Sequence, residues 1–210
     1  MPQYRPQSRR AGWRWVASTS VAGTLWLFFL GANLKQWGPS GRPVGLGVME
    51  LELAIGILFV IRRQPVTVSR SPLAWVAPAV ALSGMLLARP AYAPVAGLES
   101  LYVFLQLLGA AAALLSLVAL GRSFGLVAAN RGLKTRGPYG VVRHPVYTAY
   151  LLTMCGYVLE NPSVRNVVLV SIVMAAQVVR IRQEESCLST DPQYEVYRSR
   201  VRYRLLPFVY

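Results

Sequence analysis

A short polar stretch in the second half of the chain carries the residue types best suited to chemistry. Arg143 and His144, the only histidine among the 210 residues, stand directly before Pro145. Proline is favoured at the first position of a helix, so Pro145 predicts a helix start with His144 as its cap. A helix N-terminus attracts carboxylates and phosphates through its N–H groups and its dipole. Spacing alone leaves two interpretations open: an anion site, or a simple cap beside an arginine that meets lipid phosphate.

A second polar group follows at Arg180, Glu184 and Glu185. If this segment is helical, Arg180 and Glu184 are neighbours on one face, which then carries charges of both signs. The simpler interpretation is a solvated helix end with a surface ion pair worth about 0.3–0.5 kcal/mol. The spacing by itself favours that simpler interpretation.

The last residues mix tyrosines with arginines and end in Leu206, Pro207 and Phe208. Residues of these types anchor at lipid headgroups. The segment is therefore either an amphipathic stretch on a membrane surface or a lid over a neighbouring pocket.

The elements that position these residues are strongly apolar. The chain is 54% hydrophobic and 14% charged, with a mean hydropathy of +0.41. A typical soluble domain is about 45–50% apolar and about 25% charged. The composition is typical of a membrane protein and excludes a disordered or fibrous chain. Cys155 and Cys187 are too few for a disulfide framework, and no set of His, Cys or carboxylate residues has metal-ligand spacing.

Charge-free runs predict the membrane segments. Residues 17–34, 71–88 and 100–121 are each near the roughly 17–25 residues that span a bilayer. A fourth span, residues 44–61, contains Glu50 and Glu52, which we expect near the outer interface rather than at a substrate entry. Two shorter runs, 145–159 and 166–179, flank a turn signal at 160–162 and predict a helical hairpin. We therefore expect an all-α, polytopic membrane helix bundle with about five to six membrane segments.

The distribution of basic residues explains the net charge of +14. Most of them precede residue 17, lie between residues 61 and 71 or between residues 121 and 145, or follow residue 179. The opposite side holds only Lys35, Arg42, Arg89 and Arg165. The positive-inside rule therefore predicts that both termini and the polar loops are cytoplasmic. Because topology accounts for the charge, no nucleic-acid partner is expected.

Several motifs in the C-terminal half follow one another in a characteristic order: Gly137-Pro138-Tyr139, Arg143-His144-Pro145-x-Tyr147, Asn161-Pro162, residues 180–185, Tyr194-x-x-Tyr197-x-x-Arg200-Val201 and Leu206-Pro207-Phe208. In order and spacing this set resembles the isoprenylcysteine carboxyl methyltransferases and the related phospholipid methyltransferases. The resemblance covers residues 121–210, so it divides the chain into a four-helix membrane portion, residues 1–120, and a methyltransferase portion, residues 121–210.

The resemblance implies an integral membrane enzyme, located in the plasma membrane if the cell is bacterial, that methylates a lipophilic acceptor, first of all a carboxylate. The methyl donor would be S-adenosylmethionine, and the active site would be cytoplasmic. The resemblance further implies that Arg180 contacts the acceptor. It assigns cofactor binding to Arg131, Gly132, Leu133, Lys134, Tyr139, His144, Pro145, Val146, Tyr147, Glu184 and, in second rank, Glu185. Such a transfer needs mainly positioning and exclusion of water, and no metal.

Three alternatives stay open. A phospholipid amine or a thiol as acceptor would need deprotonation, for which Glu185 or Tyr147 would have to act as the base. A membrane reductase of the sterol C14-reductase kind has a similar Arg-Leu-Leu-Pro ending and uses NADPH, but Glu184-Glu185 stands where its His/Arg-Asp-Asp pattern belongs. A small transporter or scaffold with a basic cytoplasmic face would bind no nucleotide-like ligand.

Overall fold

The computed structural model describes residues 61–65, 67–69, 71–88 and 95–209, together with positions 23, 24, 27, 31 and 56–58. The elements within these residues are, in chain order, β1 (Thr67–Val68), α1 (Leu73–Leu87), α2 (Glu99–Leu120), a 3-10 turn (Gly121–Ser123), β2 (Ala129–Asn130), a second 3-10 turn (Gly137–Gly140), α3 (Pro145–Glu160), α4 (Val164–Leu188) and α5 (Pro192–Arg200). The described part is thus mostly helical, as the composition predicts. Most of the predicted spans 17–34 and 44–61, including Glu50 and Glu52, lies outside the described residues.

Two of the described helices are long and apolar enough to cross a membrane. They are α2 with its following turn, Glu99–Ser123, and α4, Val164–Leu188. The side chains of Leu115 and Val118 on α2 are exposed, which suits a helix that faces lipid. α1 forms within the predicted 71–88 span, although it has only 15 residues. The expected total of five to six segments stays a prediction.

α2 and α3 pack closely because glycines let their backbones approach. A Cβ atom on Gly156 would lie 2.7 Å from Cγ of Gln106 and 2.8 Å from the carbonyl oxygen of Tyr102. Nearer the other end of the pair, Leu117 of α2 and Val146 of α3 share one buried apolar cluster. The two helices therefore run antiparallel along their length.

We predict that Gly156→Ala lowers the free energy of unfolding by about 1–2 kcal/mol, because the added methyl group overlaps α2. Thermal unfolding of the purified protein, followed by circular dichroism, measures this change. Gly140→Ala is the matched control, since its Cβ would meet only the Thr135 carbonyl oxygen, at 3.6 Å. Equal melting temperatures for the two variants would contradict the close helix approach at Gly156.

α3 and α4 depart from the short hairpin that the apolar runs predict. α4 continues to Leu188, well beyond residue 179, and packs mainly on α1, whereas α3 packs mainly on α2. The predicted break between them is present. The Ser163 side chain caps α4 by accepting from the Asn166 N–H at 3.1 Å, and the Asn166 amide donates to the Asn161 carbonyl at 2.9 Å. Hydropathy misses the last turns of α4 because these turns are polar.

The antiparallel course of these helices collects the polar segments at one end of the bundle. The C-terminal end of α2 and the N-terminal end of α3 meet through Leu117 and Val146. The C-terminal part of α4 joins the same end, because Ile181 packs on Tyr147. The loop between α2 and α3 and the tail after α4 are therefore close neighbours.

Candidate active site

An ionic cluster forms where the N-terminus of α3 meets the last turns of α4. We define it as Arg143, His144, Glu184, Glu185 and Arg204. Both carboxylate oxygens of Glu185 contact basic groups. Oε1 lies 3.0 Å from Arg143 Nε and 3.3 Å from His144 Nε2, and Oε2 lies 2.9 Å from Arg204 Nε. The Glu185 side chain is only 13% exposed. Arg204 donates a hydrogen bond to Glu185, His144 lies at hydrogen-bond distance, and Arg143 pairs with the carboxylate by charge, so Glu185 is already engaged on both oxygens.

Glu184 has different partners and more access to solvent. The Tyr147 hydroxyl donates a short hydrogen bond to Oε1 of Glu184. His144 Nδ1 lies 3.7 Å from the second oxygen, and the Glu184 side chain is 25% exposed. Glu184 therefore keeps acceptor positions that Glu185 lacks.

Arg180 lies one turn before Glu184, over the ring of Tyr147. Its Cζ atom is 5.2 Å from the ring centroid. Nη1 donates to Oε1 of Gln177 at 3.0 Å, and Nη2 donates to the Leu126 carbonyl at 3.4 Å. Nε is buried and has no acceptor among the described residues. The guanidinium is thus held along one edge and retains a donor for an additional oxygen.

The loop after β2 brings a second buried guanidinium to this end of the bundle. Gly132 has φ +98°, a conformation that favours glycine, and its N–H donates to Oδ1 of Asn130 at 3.0 Å. Arg131 Nη1 donates to the Val127 carbonyl at 3.3 Å, while its buried Nε has no acceptor within the described ranges. Burial, with a smaller contribution from Arg62, lowers the pKa of Arg131 to about 10. Arg131 therefore stays charged at neutral pH.

α5 supports the same loop. Leu133 packs on the buried cluster formed by Tyr194, Tyr197 and Val201. The Tyr197 hydroxyl donates to the Tyr139 carbonyl at 2.7 Å. Burial raises the pKa of Tyr197 to about 12, so this hydroxyl stays a donor at neutral pH. The position of the loop thus depends on a helix more than fifty residues later in the sequence.

The C-terminal strap, which we define as Tyr203–Leu205, lies against the start of α3. The N–H groups of Arg143 and His144 donate to the carbonyls of Tyr203 and Arg204, both at 2.9 Å. Thr148 Oγ1 donates to the Leu205 carbonyl at 2.6 Å. His144 is the N-cap residue of α3, as predicted. Its backbone N–H, however, donates to the strap and is not free to bind an anion. The tail is therefore in contact with the site.

The structure brings together His144, Tyr147, Arg180, Glu184 and Glu185 from the predicted set. Burial raises the pKa of the Tyr139 hydroxyl, and the Glu184 carboxylate raises it further. The same carboxylate opposes the lowering of the pKa of Arg131. The remaining predicted residues are more peripheral: Pro145 opens α3, Val146 joins the apolar cluster with Leu117, and Gly132, Leu133 and Lys134 lie on the loop.

Two contributors were not predicted from the sequence: Gln177, which orients Arg180, and Arg204, which binds Glu185. The only signal for Arg204 is its place in the Arg-Leu-Leu-Pro ending. Within the part of the chain that the structure describes, no three His, Cys, Asp or Glu side chains are arranged to hold a metal ion.

The fold and the site define a mostly helical protein with two candidate membrane spans and a charged site at one end of its helices. Residues 99–193 match the family model of the phospholipid methyltransferases, which confirms the resemblance for this part of the chain. The match runs from α2 through α4 and includes the residues that surround Glu184. No curated protein matches the chain significantly. The match supports a membrane methyltransferase as the class of protein.

Proposed function

We propose that this chain transfers the methyl group of S-adenosylmethionine to a lipophilic acceptor, with a carboxylate as the favoured acceptor group and the site on the cytoplasmic side. The observation that carries the proposal is the environment of Glu184. This partly exposed carboxylate accepts a hydrogen bond from Tyr147, over whose ring Arg180 lies, and the buried Nε–H groups of Arg131 and Arg180 have no acceptor among the described residues. The family match supports methyl transfer as the reaction.

These groups fit the cofactor. Its ammonium group suits the Glu184 carboxylate, and its carboxylate suits the unmet donor of Arg131. The hydrogen bond from Tyr147 fixes the orientation of Glu184. When bound, S-adenosylmethionine supplies a methyl group on a sulfonium that leaves as a neutral thioether. The task of the protein is then to align the acceptor and exclude water.

Arg180 is the residue that we assign to the acceptor. Its buried Nε–H is one of the donors that remain after Gln177 and Leu126 have anchored the guanidinium. A carboxylate acceptor is ionised at neutral pH, so no base is needed. Glu185, one of the two residues that could act as the base for an amine or thiol acceptor, is already engaged by Arg143, His144 and Arg204. These contacts favour the carboxylate.

A phospholipid amine is the second candidate acceptor, because the matching family is that of the phospholipid methyltransferases. In that case the proton released by the amine would have to pass to the Tyr147–Glu184 pair, whose hydrogen bond already links a hydroxyl to a carboxylate.

Calorimetric titration of S-adenosylmethionine, and separately of NADPH, into the purified full-length protein tests the proposal. We expect S-adenosylmethionine to bind and NADPH not to bind. Transfer of a tritiated methyl group to a prenylated cysteine or to phosphatidylethanolamine then separates the two acceptors. Binding of NADPH alone would indicate the reductase, and binding of neither by protein that unfolds cooperatively would favour a transporter or scaffold.

A further inference from the structure

A cavity of about 620 Å³ lies between the loop before α3 and helix α5. We call it the α5 cleft. It is lined by Leu133, Thr135, Arg136, Gly140, Gln193, Val196, Tyr197, Arg200 and Val201. None of these residues belongs to the ionic cluster, and only Leu133 belongs to the predicted cofactor residues. The α5 cleft is therefore a site in addition to the candidate active site.

The lining of the α5 cleft combines cationic and apolar groups. Arg136 and Arg200 are exposed, while the side chains of Tyr197 and Val201 are buried and form an apolar floor. Guanidinium groups bind phosphate oxygens in a bidentate manner, and an apolar floor accepts hydrocarbon. The combination suits an amphiphile with an anionic head better than a small inorganic ion.

The two arginines have no anionic partner in the part of the chain that the structure describes. Neither Arg136 nor Arg200 forms an ion pair with a described carboxylate, and Glu195, the acidic residue of α5, pairs with Arg198 at 3.5 Å. The tail beyond Glu195 adds arginines and no acidic residue. The cleft thus carries an uncompensated positive charge that favours an anion.

The position of the α5 cleft indicates the source of that anion. The two candidate membrane spans end at Ser123 and Leu188, and α5 begins at Pro192. The cleft residues, 133–140 and 193–201, follow these two ends in the chain, so the cleft lies on the membrane side at which both spans end, where lipid headgroups are a nearby source of anionic groups. We infer that the α5 cleft binds an anionic phospholipid, with its phosphate on Arg136 and Arg200 and its apolar part on the floor. This inference does not depend on methyl transfer.

The test uses the purified full-length protein in a nonionic detergent, with binding followed by native mass spectrometry. The probes are a short-chain phosphatidylglycerol, the matching phosphatidylcholine and soluble glycerol phosphate. We expect phosphatidylglycerol to bind at least about tenfold more tightly than the other two, since only it offers both net anionic charge and hydrocarbon. Equal binding of phosphatidylcholine, or glycerol phosphate binding as tightly as phosphatidylglycerol, would overturn the inference.

A matched pair of double variants locates the site. Arg136→Gln with Arg200→Gln is expected to weaken phosphatidylglycerol binding by about tenfold, because two charge-assisted hydrogen bonds are lost. Arg182→Gln with Arg202→Gln removes the same charge from exposed arginines outside the cleft and should change binding by less than about twofold. An equal loss in both double variants would show diffuse attraction to the basic surface and overturn the site. All four side chains are exposed, so the fold should remain intact.

Discussion

Glu185→Gln is expected to lower the free energy of unfolding by about 3 kcal/mol, because it removes the shared anion of a largely buried ionic network. Arg143, His144 and Arg204 all contact this carboxylate, at 3.0, 3.3 and 2.9 Å. Glutamine has nearly the same shape, but it is neutral and turns one acceptor oxygen into a donor. Arg204 would then lose its charged acceptor, and Arg143 would lose its ion-pair partner.

The loss should also release the C-terminal strap, because Arg204 links it to α4 through Glu185. Urea or thermal unfolding gives the stability, and limited proteolysis of the folded protein reports whether residues 203–205 have become accessible. Glu195→Gln is the control. Glu195 and Arg198 form a pair in which the side chains are 57% and 52% exposed, and such surface pairs contribute about 0–1 kcal/mol. If both variants unfold alike, the ionic network does not stabilise the fold.

Local chemistry is what made parts of this fold predictable. Pro145 marks the first residue of α3 because a proline without an N–H loses nothing there. The run at residues 100–121 predicts α2, which spans Glu99–Leu120, because a membrane-length apolar segment has few other folded states. In both cases the signal lies within the element itself.

The far end of α4 shows where such signals stop. The apolar run ends at residue 179, but the helix continues to Leu188. Its last turns are polar, and they are held by side chains from elsewhere: Tyr147 of α3 bonds to Glu184, and Arg204 of the tail binds Glu185. A hydropathy pattern contains no information on these partners.

The spacing of Arg180 and Glu184 favoured a surface ion pair, and that interpretation is wrong because two partners of Arg180 lie far away in the sequence. It favours a solvated ion pair on one helix face, whereas Arg180 bonds to Gln177 and to the Leu126 carbonyl and lies over the Tyr147 ring. The contact with Leu126 joins residues 54 positions apart. Only the family resemblance indicated that these residues belong to a site, because it rests on motifs that are far apart in the sequence.

Glu184→Gln should weaken the binding of S-adenosylmethionine by about 30-fold, since a hydrogen bond to a charged group contributes about 1.5–3 kcal/mol. The variant keeps an acceptor for the Tyr147 hydroxyl but loses the negative charge that we assign to the ammonium group of the cofactor. Calorimetric titration at a temperature well below unfolding measures the change. Tyr147→Phe should have a smaller effect, because it alters only the orientation of Glu184.

Glu185→Gln is the sharpest control for this experiment, since the two carboxylates are adjacent and carry the same charge. Because the donors around Glu185 already occupy it, its replacement should change cofactor affinity by less than about threefold in protein that is still folded. Glu184→Gln should conversely have little effect on the melting temperature, because its carboxylate is partly exposed and pairs with fewer groups. If instead Glu185→Gln lost the cofactor while Glu184→Gln retained it, the roles would be exchanged, and the strap would have to open for the cofactor to reach Glu185.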